Sequence, residues 1–480
     1  MTATTPEKTS TKPAAVEHLP QQEIDYSCRN PLLFLFTAGV LWLIVSLLTG
    51  ILASVKMHAP GMFADSAALT YGRVAAVSSN AFFYGFASQV GIGVALWLFA
   101  RLGKTFLVLP RCGLVAGMIW NLGVVLGLIG ILTGGMTQHR LFEMPAWTAM
   151  IFFAAFAILG VSGILTFNAR NEKEVYPSNW YLLAAFFTFP WLLSVAYLLL
   201  GRYTLRGVLE PAISIWYANN FLWLWLGPIA LATIYYFVSK LSGRPLHSRS
   251  MAVFSFWLYL LFVNALGFQN MPGLPNWLPA LSAAMNLLLL IPVAVMRVNW
   301  FKTVYPVGRG KKDKEPASRY VRFAIFAFTS AIILSYLISL PSVDEVVGLT
   351  VFHHGMTAWI GYGFIGMAFL GALTYILPRL TEIDWPNPKL TAVHYGLTVT
   401  GIALVAGAWM LGGVLQGTAI NTPSMPFNTI VKRVVPFIGI NSIGLLALLV
   451  AQLALLGNMA LMFKMCAAKC CGWGTKEAAR

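Results

Sequence analysis

The chain has 480 residues, of which 58% are hydrophobic and only 10% charged, and carries a formal net charge of +16. So few polar side chains cannot coat a water-facing globule, so its solvent is lipid and a soluble enzyme is excluded. The positive charge does not point to nucleic acid either, because no folded polar domain is left over to present a basic patch.

In chain order, residues 1–30 are rich in Thr, Pro, Lys and Glu, with no short apolar stretch and no small-residue cleavage site. They read as a disordered tail, not a signal peptide. Apolar runs of about 18 to 25 residues then recur, each long enough to cross about 30 Å of hydrocarbon as a helix. The predicted spans lie near 31–55, 79–102, 111–135, 146–167, 179–201, 219–240, 251–268, 276–297, 322–342, 353–377, 393–416 and 434–465. The expected fold class is therefore all-α, a polytopic membrane protein with one twelve-helix transmembrane domain over 31–465, followed by a second tail over 466–480.

Charge parity orients these spans. With the N-terminus inside, 25 of the 32 Lys and Arg fall on the inner side and seven on the outer, the positive-inside bias of a bacterial inner membrane with both termini cytoplasmic. Membrane lipid is thus an expected partner. The loop between spans eight and nine, with Arg309, Lys311, Lys312 and Lys314 beside Asp313 and Glu315, is expected to touch anionic headgroups. All five cysteines (Cys28, Cys112, Cys466, Cys470 and Cys471) fall on the inner side, where disulfides do not persist. The cluster Cys466, Cys470, Cys471 has no neighbouring His to complete a metal site, and juxtamembrane acylation is its other reading.

No phosphate-binding glycine loop, Walker lysine or hydrolase triad occurs. Five other stretches stand out. Tyr71, Gly72 and Arg73 precede Ser78, Ser79, Asn80 and Ala81 at the mouth of span two. Glu143, Met144 and Pro145 precede span four. Trp216, Tyr217, Ala218, Asn219 and Asn220 open span six, and Gly243, Arg244 and Pro245 follow it. Gly267, Phe268, Gln269 and Asn270, with Leu274, Pro275, Asn276 and Trp277, follow span seven. His353, Gly355, Trp359, Tyr375, Leu377 and Pro378 run along span ten, and His394 opens span eleven. Together these resemble subunit I of the heme-copper respiratory oxidases, in their C-type or cbb-type branch, over nearly the whole chain.

That resemblance implies a twelve-helix subunit of a respiratory complex working in electron transport. It also implies a low-spin heme held by two imidazoles, a high-spin heme held by one, and copper held by three beside a tyrosine. Carried over residue by residue, one ligand survives. His353 falls at the helix-ten ligand of the low-spin heme and is the single candidate cofactor-binding residue; Ser78 stands where its helix-two partner belongs. Val351 replaces the high-spin ligand, Asn219, Gln269 and Asn270 replace the copper ligands, and Val263 replaces the tyrosine. An amide is a feeble donor to iron or copper. Of seven His, only His353, His354 and His394 lie near membrane depth, so six imidazoles cannot be assembled in any register. Copper is not expected, no catalytic residue or metal ligand is assigned, and any retained cofactor is one b-type heme on His353.

Further expectations follow. The amides should hydrogen-bond to one another, to backbone or to water. Ser78 and His353 should face each other across the low-spin heme volume, which is either filled by Phe82, Phe83 and the aromatics of helix ten or taken by an apolar ligand. His353 otherwise donates to a carbonyl, while His354 projects about 100° away. His394 reads as a packing or hydrogen-bonding residue, Arg73 as an interfacial anchor, and Glu143 as either a cofactor-side acid or half of a solvated pair with Arg140. Trp147, Trp180 and Trp277 suit an aromatic belt, and Gly361, Gly363, Gly366 and Gly371 suit close helix approach. The function expected is a cytochrome c oxidase subunit I-like membrane subunit, from an oxidoreductase family but inactive on its own, working among other respiratory-complex subunits. The alternatives are an active terminal oxidase with unusual heme ligation, and a quinone or small-molecule-binding membrane module.

Overall fold

The computed structural model describes residues 20–203, 205–269, 271, 273–305 and 315–470. Among these residues every regular element is a helix. A chain in hydrocarbon must satisfy each backbone N–H and C=O internally, and the helix does so within one segment.

The bundle is built from α1 (Gln21–His58), α2 (Tyr71–Gly103), α3 (Pro110–Leu132), α4 (Thr148–Asn168), α5 (Pro177–Arg202) and α6 (Leu209–Ser242). It continues with α7 (Arg249–Val263), α8 (Trp277–Val304), α9 (Ala317–Ile338), α10 (Phe352–Thr381), α11 (Pro388–Ile420) and α12 (Phe427–Cys470). Eleven of these are long and apolar enough to cross a membrane. The exception is α7, at the place of the seventh predicted span. It has 15 residues and lies antiparallel to α8, with the Ser248 N–H on Asn299 Oδ1 at 3.0 Å. It stops short of the predicted 268 because the chain turns at Asn264–Gly267, where Gly267 adopts φ +99°.

Several other boundaries differ from expectation, α2 beginning at Tyr71 and α6 at Leu209 where 79 and 219 were predicted, and two more have a local cause or extend a terminus. Helix α1 begins at Gln21, inside the stretch read as tail, because its polar first turn is satisfied internally. Asp25, 4% exposed, accepts from Trp97 Nε1 at 2.8 Å and pairs with Arg101 at 3.1 Å. Helix α12 runs to Cys470, past the predicted end at 465. Residues 1–19 and 471–480, with Cys471, lie outside the described residues, as do Asn270 and the basic loop residues Arg309 to Lys314. The start of α1 and the end of α12 meet at one end of the bundle, where Arg29 donates to Cys466 Sγ at 2.8 Å; this is the terminal end, and the other is the distal end. Of the cysteines with described side chains, Cys28 and Cys466 are buried and Cys112 is exposed.

Burial sorts the helices into two shells. The most apolar windows of α2 and α6 are wholly buried and that of α10 is 94% buried, whereas those of the other eight long helices are between 28% and 50% buried. Three helices thus form an inner core, and the outer ones turn apolar faces such as Leu122, Phe187 and Trp257 outward. Trp147 and Trp277, both more than half exposed, sit at the distal ends of α4 and α8, where an aromatic belt belongs.

Each inner helix also widens into a π-helical turn: Ala81–Ala87 in α2, Phe221–Leu226 in α6 and Trp359–Gly366 in α10. Backbone N–H groups of Ser88, Gly227 and Met367 there reach back five residues, to Phe83, Leu222 and Tyr362. Such turns displace a side chain from the helical register and concentrate at functional sites.

Candidate cofactor site

Two cavities lie beside the inner helices toward the distal end. The first, of about 540 Å³, is bounded by α1, α2, α10, α11 and α12, and both Ser78 and His353 line it. The expected juxtaposition across one volume is therefore present. Phe82, Phe83 and Tyr362 enter its wall, with Phe82 and Tyr362 rings 4.5 Å apart at 66°. They narrow the space without filling it.

Ser78 is not poised as a ligand. Its Oγ donates to the Ser46 carbonyl at 2.8 Å, while Ser46 Oγ donates to the Ser78 carbonyl at 2.7 Å, a reciprocal stitch between α1 and α2. His353 stands on the first turn of α10 and lines both cavities, and Asp344 lines the second one with it. His354 turns to the other side and packs on Trp409 at 5.4 Å. His394, 1% exposed, joins Tyr320 (Nδ1 to the phenol, 2.6 Å) to Gln452 (Nε2 to Oε1, 3.3 Å), a hydrogen-bonding role within the bundle.

The second cavity, of about 930 Å³, is lined by Asn219, Gln269, Asp344 and His353. Its amides bond to backbone and to a serine. Asn219 Nδ2 donates to the Leu266 carbonyl at 3.1 Å, and Gln269 Oε1 accepts from the Gly267 N–H at 3.0 Å and from Ser282 Oγ at 2.9 Å. Gly267 is irreplaceable in this arrangement, since its φ disfavours a side chain and a Cβ there would fall 1.5 Å from Asn219 Nδ2. Val263 is fully buried. Asn270 lies outside the described residues.

Arg140, Thr357 and His353 line both cavities. Arg140 sits in the loop between α3 and α4, which tucks under the distal end of the core, and its guanidinium donates to Thr357 Oγ1. Glu143, in the same loop, accepts from Asn80 Nδ2 at 2.8 Å. Burial pushes the Glu143 carboxyl up, and the Asn80 bond opposes it. Glu143, read from the sequence as either a cofactor-side acid or half of a solvated pair with Arg140, is half-buried, and Arg140, itself exposed, lines the same cavity. The position of Arg140 between two chambers had no signal in the sequence beyond a lone arginine in an apolar loop. Arg73 anchors the start of α2 to the Ala67 and Leu132 carbonyls at 2.7 and 3.0 Å.

These donors can be tested against the family's cofactors. Copper needs imidazoles, and the described residues at the positions the resemblance assigns to it are two amides, with a valine at the tyrosine position. A bis-imidazole heme needs a second ring where Ser78 is tied to α1. Neither group fits the residues present, although Ser78 and His353 line one cavity. Ser78→His is therefore expected to increase the bis-imidazole heme spectrum of purified protein over wild type, because the slot is open. An unchanged spectrum with correct folding would show that the two positions do not face one heme volume.

Comparison with known proteins agrees with this architecture. Residues 30–447 match the family described as cytochrome c and quinol oxidase polypeptide I. The chain is 24% identical over 456 residues to the cytochrome c oxidase subunit 1 homolog of Azorhizobium caulinodans, covering 88% of this chain and 79% of that protein. It is 21% identical over 387 residues to the cbb3-type cytochrome c oxidase subunit CcoN1 of Stutzerimonas stutzeri (79% and 81%). To cytochrome c oxidase subunit 1 of Rhodobacter capsulatus it is 24% identical over 401 residues (79% and 74%). A family match across most of the chain and an all-helical bundle with eleven membrane-length helices among the described residues converge on one assignment: this multi-pass membrane protein is a divergent member of the cytochrome c and quinol oxidase polypeptide I family.

Proposed function

We propose that the chain is a subunit I-like membrane component of a respiratory complex in which the oxygen-reducing centre has been replaced by structural hydrogen bonds. The observation that supports this most is the commitment of Asn219 and Gln269 to the turn after α7. The Gln269 oxygen, the atom an amide would offer a metal, already accepts from the Gly267 N–H and Ser282 Oγ, and Asn219 is tied to the Leu266 carbonyl through its Nδ2. Its relatives are named as oxidase subunits, so its partners are other subunits of such a complex.

The test is metal analysis, a visible spectrum and oxygen uptake on the purified chain. The expected result is copper far below one per chain, no oxygen uptake above the detergent blank and no bis-imidazole heme spectrum. Stoichiometric copper with oxygen uptake would overturn the reading, and a heme spectrum lost in His353→Ala would return one b-type heme to the site.

The membrane is proposed to be the bacterial inner membrane, with both termini cytoplasmic, from the 25 to seven distribution of basic residues. Reporters fused at either terminus should be active only when the reporter works in the cytoplasm. Activity of a periplasm-dependent reporter at the C-terminus would reverse the orientation.

A further inference from the structure

We infer that the terminal end of the bundle carries a built headgroup site for one phospholipid, its ligand a phosphate diester that bears a primary ammonium. The sequence points only to general contact with lipid. This site is separate from both distal cavities and independent of the proposed role.

A third cavity, of about 640 Å³, opens between the start of α9, the end of α10 and the start of α11. It lies at the terminal end, since Glu382 after α10 pairs with Lys469 of α12 at 3.3 Å and the Asn387 N–H before α11 donates to Asn458 Oδ1 of α12 at 3.0 Å. Long apolar helices meet lipid headgroups at their ends, and Trp385 and Tyr395 in the cavity wall are side chains that favour that depth. Along α11 the wall continues from Ala392 to Gly396, which is exposed and where an added Cβ would meet nothing within 4 Å. An acyl chain has room there.

Charge decides between headgroup classes. Arg319 and Arg379 line the cavity with Glu315 and Asp384, so its formal charges balance. Arg379 is already committed, donating to the Tyr375 carbonyl at 2.7 Å, lying over the Tyr375 ring and pairing with Glu315 at 3.5 Å. Arg319 and Asp384 are not. Among the described residues neither has a hydrogen bond or an ion pair, and they do not pair with each other although they line one cavity. The Tyr395 hydroxyl is likewise without a hydrogen-bond partner among the described residues. Two opposite charges held apart across one space suit a ligand that carries both, its phosphate accepting from Arg319 and Tyr395 and its ammonium donating to Asp384. A headgroup of net negative charge is repelled by Asp384, and a trimethylammonium has no N–H to give it.

The experiment is native mass spectrometry of the full-length chain in detergent, stripped of lipid and titrated with phosphatidylethanolamine, phosphatidylcholine, phosphatidylglycerol and the tail-free glycerophosphoethanolamine. The expected result is one saturable phosphatidylethanolamine per chain, bound about tenfold more tightly than either other lipid, the worth of one hydrogen bond to a charged partner. Asp384→Asn should bring phosphatidylethanolamine down to the phosphatidylcholine level and leave phosphatidylcholine unchanged, whereas Arg319→Gln should weaken both. Both side chains are exposed, so neither substitution threatens the fold. Equal binding of the three lipids, a phosphatidylethanolamine preference that survives Asp384→Asn, or binding undiminished in Arg319→Gln would overturn the inference. Glycerophosphoethanolamine bound as tightly as the whole lipid would reassign the site to a soluble phosphate ester and overturn the lipid assignment.

Discussion

Asp25→Leu is expected to cost about 3 to 5 kcal/mol of stability, the loss typical of breaking a buried ion pair by removing one partner. Asp25 and Arg101 side chains are 6% and 8% exposed, and the carboxylate also accepts from the Trp97 indole. Removing it leaves a guanidinium at the terminal end of the inner helix α2, held by the Gln21 carbonyl and side chain and by the face of the Trp97 ring. The double substitution Asp25→Leu with Arg101→Met should recover most of the loss, because neither charge is then stranded. Thermal unfolding in detergent, run as a double-mutant cycle, measures both effects. A single variant within about 0.5 kcal/mol of wild type would show that the first turn of α1 is not held by this pair.

Gly417→Val is expected to cost about 3 kcal/mol or more, the upper range for overpacking a tight contact. A Cβ at Gly417 would lie 1.6 Å from the Val346 carbonyl oxygen, and one at Gly413 would lie 2.5 Å from the Phe352 nitrogen. Both obstacles are backbone and cannot rotate away. This small-residue seam of α11 receives the short helix Pro341–Val347 and the start of α10, with Gln416 accepting the Val351 N–H at 2.9 Å and Asn421 donating to the Glu345 carbonyl at 3.1 Å. In lipid such close approach is a main source of helix association. Prying the seam apart should also shift the Asp344 and Gly348 groups that face His353. Gly407→Val on the same helix, where a Cβ meets nothing within 4 Å, is the control and should cost little. Equal unfolding temperatures for the two variants would refute the seam.

The sequence carried the shell of this molecule better than its interior. Hydrophobic runs gave eleven membrane-length helices in the right places, because span length is set by bilayer thickness and is read locally. The runs failed where local polarity misled. Gln21 to Asn30 looked like tail because the partners of Asp25 are Trp97 and Arg101, more than seventy positions away. The seventh span looked longer than α7 because apolar residues continue through a turn that only the Gly267 φ reveals.

What the sequence by itself determined is membrane residence, a matter of composition; the shortage of imidazoles is an expectation that follows from placing only three of the seven His near membrane depth. Only the tertiary structure decided the partners of the polar side chains near the cavities. Ser78 turned to Ser46 and Gln269 to Ser282, while Arg140 came to line two cavities. The physical reason is that a polar side chain in a dry interior takes whichever partner packing brings within hydrogen-bond reach. Those partners lie on other helices or loops, where no local pattern records them.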